Sequence, residues 1–173
     1  MIETERLLLR QWTEADREPF AAMGRDPEVM RHFPAPLDRE ASDAFVDRAT
    51  AAIDERGWGL WAVERDGAFL GFTGLAVPTF EAPFLPAVEI GWRFAREAWG
   101  HGYATEAARA VLRYAFADLE MTSVVSFTTV ANLRSQAVMT RIGMQRAGEF
   151  EHPRIPAGHP QRPHVLFRVD RPA

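Results

Sequence analysis

The stretch AVEIGWRFAREAWGHGYATEAARAVLRYAF, residues 87–116, carries the clearest structural pattern in the chain. Apolar residues alternate with polar or small ones over Ala87–Phe94, which predicts a half-buried strand. From Ala104 onward, apolar residues recur at three- and four-residue spacing, which predicts an amphipathic helix. Gly100 and Gly102 stand directly before this helix, although glycine weakens helices. Their position calls for an explanation other than helix formation.

The two glycines indicate an anion site. A helix that begins soon after a strand presents unpaired N–H groups and the positive end of its dipole. Glycines let a phosphate approach such amides without a Cβ in the way. We therefore expect an anion cradle at Trp99–Ala104, with a tight turn that holds no ligand as the alternative. Two known phosphate loops are excluded, because the chain has no Lys for a Walker loop and Thr105 stands where a dinucleotide fingerprint needs its third glycine.

Composition restricts the class of protein. The 173 residues are 47% hydrophobic, which suits one globular domain spanning 1–173. A net charge of -4 gives no electrostatic case for nucleic acid or an anionic membrane as a partner. The absence of cysteine excludes disulfides, thiolate metal sites and a Cys nucleophile. No apolar run reaches the roughly 18 residues of a membrane span, and no signal-peptide pattern opens the sequence, so we expect a cytoplasmic protein.

The other segments predict a mixed α/β (α+β) fold. Their order is β-α-α-β-β-β-α-β-α-β-β, in which the strand–helix–strand unit implies one parallel pair and the hairpins imply antiparallel ones. We expect a mostly antiparallel seven-stranded sheet with helices on both faces. The predicted strands include Arg6–Trp12 and Ser123–Val130, and a hairpin turn is predicted at Asp66-Gly67. The predicted helices are one capped by Thr13 and stopped by Gly24, one at Asp38–Glu55 ended by Gly57, and one from Asn132 to Gly143.

A family resemblance joins these segments. WGHGYATEA, residues 99–107, resembles the coenzyme-A loop of the GNAT superfamily of N-acetyltransferases, whose pattern Gln/Arg-x-x-Gly-x-Gly/Ala ends here on Gly100 and Gly102. The resemblance continues in order along nearly the whole chain, through ERLLLRQWTEAD, GLWAVERDGAFLGFTGL, AVEIGWRF and ANLRSQAVMTRIGM. It is closest to the branch of ribosomal-protein N-terminal (alanine) acetyltransferases. The family's fold implies that the fourth and fifth strands splay apart.

The resemblance also implies a reaction and a coenzyme site. Acetyl would move directly from acetyl-CoA to a primary amine, either a protein N-terminal α-amine or a small-molecule amine, with no covalent enzyme intermediate. A backbone amide of Ile90 or Trp92 is expected to polarise the thioester carbonyl. The expected coenzyme-binding residues are Ile90, Gly91, Trp92, Trp99, Gly100, His101, Gly102, Tyr103, Ala104, Thr105, Asn132, Arg134 and Ser135.

Two residues are expected to be catalytic. Met139 stands where many family members have a Tyr acid, so Ser135 is expected to hydrogen-bond the thiol; the alternative is a first-turn Ser bonded to Asn132. Glu89 is expected to accept the amine's proton through water, with a solvent-exposed strand residue as the alternative. An α-amine has a pKa of about 8, against roughly 10.4 for Lys, so a weakly perturbed carboxylate favours α-amino acceptors.

One departure from the family pattern supports a second hypothesis. Glu97 occupies the Gln/Arg place three residues before Gly100, where a carboxylate would repel phosphate unless it turns away. Arg96, His101 and Arg134 are candidates to offset it. Together with Met139, Glu97 leaves open a catalytically degenerate coenzyme-A-binding sensor or an interaction domain.

The acceptor side is expected to come from variable loops at residues 25–37, 77–86 and 151–163. Phe33, Trp58 and Phe84 are candidate pocket walls, with core packing as the alternative for each. The spacing of three loop histidines does not suit zinc, so we expect no metal; they are His152, His159 and His164. The oligomeric state stays open, with a homodimer among the options.

Overall fold

The computed structural model describes residues 1–172. Its strands are β1 (Ile2–Glu3), β2 (Leu8–Arg10), β3 (Leu60–Arg65), β4 (Ala68–Ala76), β5 (Glu89–Phe94), β6 (Ser123–Thr129), β7 (Gln145–Glu151) and β8 (Pro163–Asp170). Its helices are α1 (Arg17–Arg25), α2 (Arg39–Arg56), α3 (Tyr103–Ala117) and α4 (Leu133–Arg141), and single 3-10 turns lie at Glu14–Asp16 and Arg96–Ala98. No helix in residues 1–172 is long and apolar enough to cross a membrane.

All eight strands form one sheet in the order β1-β2-β3-β4-β5-β6-β8-β7. Every neighbouring pair is antiparallel except β5 and β6, which are joined by the crossover through α3. This arrangement confirms the predicted mixed sheet with a single parallel pair. It also places the glycine segment at the carboxyl end of β5, directly before α3.

The sheet is covered on both faces, as predicted. One face packs against α3 and α4, in a core that includes Leu75, Ile90 and Val111. The opposite face, called the α1/α2 face below, packs against α1 and α2 around Phe20 and Phe72. Because side chains alternate along a strand, each sheet strand supplies residues to both faces.

Local signals located most of the helix ends. Asp38 caps α2, since its carboxylate accepts a hydrogen bond from the Ala41 N–H at 2.7 Å. Gly57 ends the same helix in the left-handed region with φ of 77°. Asp66 and Gly67 form the predicted hairpin turn, both with positive φ. These elements follow from short-range chemistry, which explains why a sequence pattern reveals them.

The predicted number of strands and the predicted end of α1 were wrong. The sheet has eight strands instead of seven, because Ile2–Glu3 pairs with Leu8 and Leu9 and a two-residue strand is too short to show alternation. Gly24 does not stop α1, which continues to Arg25. A Cβ at residue 24 would lie 3.1 Å from the Leu37 Cβ, so this glycine serves a close approach between segments.

Candidate active site

A wedge opens inside the sheet between β5 and β6. Within residues 1–172 the two strands share a single register pair, Glu89 with Val125, and the Val125 N–H donates to the Val88 carbonyl at 2.9 Å. The next link is a side chain, since Ser126 Oγ donates to the Ile90 carbonyl at 2.8 Å. Beyond that point β5 and β6 separate. They are the fourth and fifth strands of the predicted count, which did not include the two-residue β1, so the predicted splay is confirmed. By contrast, β4 and β5 keep six consecutive pairs.

The backbone of β5 divides between the wedge and β4. The carbonyls of Val88 and Ile90 both bond toward β6, and alternate residues of a strand direct their backbone groups to the same side. The amides of Ile90 and Trp92 therefore point toward β6. The Ile90 N–H belongs to the Glu89–Val125 pair, where a parallel ladder directs it to the Val125 carbonyl, so the Trp92 N–H is the one that faces the open wedge. Gly91 faces the other way, because its carbonyl accepts a hydrogen bond from Thr73 Oγ1 at 2.9 Å. Its backbone is engaged with β4.

The glycine segment presents a run of free amides. Gly100 and Gly102 have φ of 81° and 80°, in the region that L side chains rarely adopt, and α3 begins directly after Gly102. The first helical bond of α3 runs from the Glu106 N–H to the Gly102 carbonyl. In the described part of the chain, the six N–H groups from Gly100 to Thr105 have no hydrogen-bond acceptor. Such a run at a helix N-terminus suits an anion.

One expected donor is already used. The Trp99 N–H donates to the Arg96 carbonyl at 3.1 Å, so the available run begins at Gly100 instead of Trp99. The Trp99 indole nevertheless connects the segment to α4, because the Arg134 guanidinium lies 4.7 Å from its ring centroid. Beside it, the rings of His101 and Tyr103 stack at 5.3 Å. Arg134 therefore supplies a cation between the glycine segment and the first turn of α4.

The departure at Glu97 lies on the 3-10 turn before the glycines. Its side chain is exposed, and it forms no ion pair within residues 1–172. Arg96, on the same turn, is exposed as well. Full hydration reduces the repulsion that a carboxylate exerts on a nearby phosphate. The exposed position of Glu97 is therefore compatible with an anion on the amides.

The first turn of α4 separates the roles of Asn132 and Ser135. Asn132 Oδ1 accepts from the Ser135 backbone N–H at 3.2 Å, and its Nδ2 donates to Thr128 Oγ1 at 2.9 Å, so Asn132 is a helix cap. The Ser135 hydroxyl takes no part in this cap and has no hydrogen-bond partner within residues 1–172. Met139 is 1% exposed and belongs to the core. Ser135 thus retains a free hydroxyl.

Glu89 lies at the point where β5 and β6 part. Its side chain is on the α1/α2 face, opposite Ile90, and it is only partly accessible to solvent. Burial raises the pKa of its carboxyl to about 8. The alternative of a solvent-exposed strand residue was therefore wrong. A carboxyl with a pKa near neutrality is suited to proton transfer.

The three predicted acceptor loops come together. The loop after α1 meets the loop between β7 and β8, because Gln161 Nε2 donates to the Arg31 carbonyl at 2.8 Å. It also reaches the end of β6, where His32 Nδ1 lies 3.5 Å from Thr129 Oγ1. The loop between β4 and β5 joins them through Arg154, which donates to Thr79 Oγ1 at 2.6 Å. Three segments that are distant in sequence thus adjoin near the wedge.

Aromatic rings line part of this region. The ring centroids of His152 and His164 are 4.9 Å apart. The two histidines lie within a cluster of aromatic rings formed by Phe80, Phe84, Phe127 and Phe150. Burial lowers the pKa of both histidines, that of His152 to about 4. Phe84 packs within this ring cluster, and its role as a wall of the acceptor pocket stays a prediction. Trp58 does not line this region, because it packs against the core of the opposite face. Within residues 1–172, no group of three or more His, Asp or Glu residues could hold a metal ion.

Two residues near the wedge were missing from the sequence predictions. Ser126 bridges β6 to the Ile90 carbonyl, and Arg93 extends from β5 toward Phe33 with its guanidinium carbon 4.2 Å from the ring centroid. Neither belongs to a recognisable motif. The alternation of β5 did place Arg93 on the face of Glu89, but only the structure brings Phe33 to it.

Comparisons with known proteins agree with this arrangement. The acetyltransferase (GNAT) domain family matches residues 6–145. The FsC-acetyl coenzyme A-N(2)-transacetylase of Aspergillus fumigatus is 35% identical over 86% of this chain and 66% of its own length. The uncharacterized protein YkkB of Bacillus subtilis is 34% identical over 82% of this chain and 83% of its own. A GNAT-family acetyltransferase structure from Bacillus anthracis superposes with a TM-score of 0.80, at 27% identity, over 98% of this chain and 97% of its own.

The class of protein follows from the wedge, the free amides and the matched family model together. The chain belongs to the acetyltransferase (GNAT) domain family, and it is an acyltransferase.

Proposed function

We propose that residues 1–173 act as one domain that transfers acetyl directly from acetyl-CoA to a primary amine. The observation that carries this is the run of six unpaired amides, Gly100–Thr105, at the end of the strand that borders the wedge. Amides at a helix N-terminus hold a pyrophosphate, and an opened pair of strands offers backbone partners to an amide-containing arm. Arg134, above Trp99, would add a cation beside the phosphates.

The chain's own groups account for the remaining steps. Acetyl-CoA would supply the acetyl group and a thiolate leaving group. Of the two amides expected for this role, Ile90 and Trp92, the Trp92 amide lies past the last β5–β6 pair and would donate to the thioester oxygen as negative charge develops there. The amine nitrogen forms a bond to the carbonyl carbon, the carbon–sulfur bond breaks to release the thiolate, and the nitrogen loses one proton to Glu89 in its ionised form. The free hydroxyl of Ser135 donates a hydrogen bond to the departing sulfur.

The state of Glu89 favours weakly basic acceptors. With a pKa of about 8, its carboxyl is largely protonated at neutral pH in the ligand-free protein. Its ionised fraction is a stronger base than an ordinary carboxylate, and it is matched to an α-ammonium group, whose pKa is also about 8. Taking a proton from a Lys ammonium, with a pKa of roughly 10.4, would cost about 3 kcal/mol. This supports an α-amine or a small amine of low basicity over a Lys side chain. The ribosomal-protein branch, the cytoplasmic location and a homodimer stay predictions of the sequence.

A combined binding and turnover experiment tests the proposal. Acetyl-CoA at 100 times its Kd should stabilise the protein by roughly 2.7 kcal/mol in thermal unfolding. A panel of primary amines should then give thiol release with a matching gain of one acetyl group on the acceptor by mass spectrometry. Thermal stabilisation without thiol release from any amine would support the sensor hypothesis instead.

The Ser135→Ala variant tests the thiol-side role. Losing one hydrogen bond to a charged group costs about 1.5 kcal/mol, so kcat should fall roughly tenfold while stabilisation by acetyl-CoA persists. The helix cap should survive, because it uses the backbone N–H of residue 135. Ser42→Ala is a matched control, since it removes a fully buried hydroxyl on α2, away from the wedge. Equal kcat in all three proteins would remove Ser135 from the mechanism.

A further inference from the structure

Arg93 has two buried guanidinium nitrogens that find no hydrogen-bond acceptor in the part of the chain that the structure describes. It is paired with Phe72 of β4 and lies on the α1/α2 face. Its guanidinium carbon is 4.2 Å from the Phe33 ring centroid and 5.5 Å from that of Phe72. Its Nε and Nη1 atoms are buried and, within residues 1–172, bond to no acceptor. The group therefore lies against two aromatic rings and forms no ion pair within residues 1–172.

This arrangement is unfavourable for the protein alone. Burial lowers the pKa of Arg93 to about 10, so the side chain still carries its charge at neutral pH. Contact with an aromatic face stabilises a cation only modestly and does not satisfy N–H donors. Buried polar groups in native proteins nearly always have partners, so an orphaned buried guanidinium indicates a partner that arrives from outside.

The surroundings show where such a partner can lie. Arg93, Gly91 and Glu89 alternate along β5, so they share the α1/α2 face. A Cβ at Gly91 would meet only Glu89 Oε1, at 3.9 Å, and its cross-strand neighbour is Gly74. The sheet surface at Gly91 and Gly74 therefore carries no side chain of its own, and the Glu89 carboxyl leans over it from one end while Arg93 stands at the other. The Cα atoms of Glu89 and Arg93 are about 13 Å apart along the strand, and the two groups form no ion pair.

We propose that Arg93 binds an oxyanion group of the acceptor, a carboxylate in the first instance, while the acceptor's amine lies at Glu89. A guanidinium offers two parallel N–H donors to such a group. Because the two side chains start four residues apart on one strand and form no ion pair, the acceptor would carry its amine and its anionic group at two ends of a linker that crosses the sheet surface at Gly91, and the test below measures the length of that linker. This inference rests on the proposed function, because the amine end is defined by the proton acceptor.

Matched acceptor pairs provide the test. Acetyl transfer is measured with straight-chain ω-amino carboxylates of increasing length, each against its ω-amino amide, which keeps the amine and removes the charge. At the optimal length the wild-type protein should prefer the carboxylate by about tenfold or more in kcat/KM. A parallel series of aminoalkyl phosphates shows which oxyanion is preferred. Equal kcat/KM for charged and neutral partners at every length would overturn the proposal.

Variants then assign the preference to one side chain. Arg93→Met should abolish the preference, mainly by raising KM for the charged acceptor, and Arg93→Lys should restore part of it. Arg56→Met is the matched control, because Arg56 also stacks on an aromatic ring, Trp58, at the far end of α2, and its loss should keep the preference. If Arg93→Met weakens acetyl-CoA binding and leaves the acceptor KM unchanged, the guanidinium serves the donor and the proposal is wrong.

A variant that does not fold, or a protein that acetylates no amine, still leaves the anion site testable. If Arg93→Met does not fold, the comparison of matched acceptors with wild-type protein decides alone. If no amine of either kind is acetylated, the proposed function fails, and thermal stabilisation by the same carboxylates is measured without acetyl-CoA. Stabilisation of the wild type by carboxylates but not by amides supports the anion site independently of transfer. No difference between the two series overturns it.

Discussion

The two sides of the β5–β6 wedge are made of different chemical groups. On the side of α3, the available groups are backbone amides from Gly100 to Thr105, arranged by two positive-φ glycines. On the α1/α2 face, they are the side chains of Glu89 and Arg93. Phe33, from one of three loops that adjoin one another, lies against Arg93. Every residue type except proline has the same N–H, so the first side depends on backbone conformation and the second on residue identity.

This difference has a functional meaning. A site built from amides is suited to a constant ligand, such as the phosphates of a coenzyme, because it needs few particular side chains. A site built from buried, unpaired ionisable groups discriminates among ligands, because each group is costly unless its complement arrives. Three changes, in order of expected size, test whether the wedge divides in this way.

Glu89→Gln should have the largest effect. Removing a general base typically lowers kcat by about 10² to 10³. Because the pKa of Glu89 is about 8, the wild-type rate should rise as pH approaches 8, and the variant should lose this limb and keep only the dependence due to the amine. Steady-state kinetics across pH measures the fall in kcat and the loss of the pH limb. The Kd of acetyl-CoA, measured separately, shows whether binding of the donor is kept. An unchanged pH profile would show that another group takes the proton.

Stability gives an independent check on the same residue. The folded pKa of Glu89 lies above its ordinary value of 4.5, so the folded state binds more protons than the unfolded chain between these two values. Stability from this group is therefore present below about pH 4.5 and is lost as pH rises to 8. The Glu89→Gln variant should lose less stability than the wild type over this interval in denaturant unfolding.

Gly100→Ala should affect the donor side by about tenfold. Alanine at φ of 81° is strained by roughly 1–2 kcal/mol, and relief of that strain would turn the amides away from a phosphate. Gly57→Ala is a matched control, because Gly57 has φ of 77° and likewise no atom within 4 Å of an added Cβ. Both variants should lose similar stability, but only Gly100→Ala should raise the Kd of acetyl-CoA. Equal Kd values would show that the run of amides is not the phosphate site.

The smallest expected effect concerns the aromatic cluster beside the acceptor loops. Burial lowers the pKa of His152 to about 4, so the unfolded chain binds more protons between pH 6.5 and 4. Stability from this group is lost as pH falls through that range, on the order of 1 kcal/mol after allowance for solvent screening. In the His152→Phe variant, the melting temperature should depend less on pH between pH 7 and 5 than it does in the wild type. Parallel curves for the two proteins would contradict this assignment.

The geometry of the glycine segment, the proposed donor side, could be predicted from the sequence because its signals are short-range. Two glycines, the strand before them and the helix after them lie within 30 residues, and backbone geometry follows from local sequence. Even there the structure moved the first free amide from Trp99 to Gly100, since a 3-10 turn at Arg96–Ala98 uses the Trp99 N–H. Nothing in the spacing of polar residues indicates such a turn.

The acceptor side could be predicted only in outline. The sequence predicted three loops for the acceptor side, and the structure shows that these loops adjoin; that they bind an acceptor stays a prediction. The sequence did not show that burial would raise the pKa of the Glu89 carboxyl, or that Phe33 would enclose Arg93, because both depend on contacts across 60 residues of chain. Trp58 was likewise misjudged from the sequence. It was a candidate wall of the acceptor pocket because it lies beside a loop, but its ring packs against the core on the α3 and α4 face of the sheet.

The wedge also affects how the protein behaves without its ligand. An ordinary open sheet has two edge strands, whereas this sheet has two further unpaired edges in its interior, along β5 and β6 past Ser126. Unpaired strand edges are templates on which another chain can add a strand, which is a common route to aggregation. A bound arm that hydrogen-bonds along β5 would therefore act as a substitute strand. Ligand binding would protect the protein from self-association as well as prepare it for reaction.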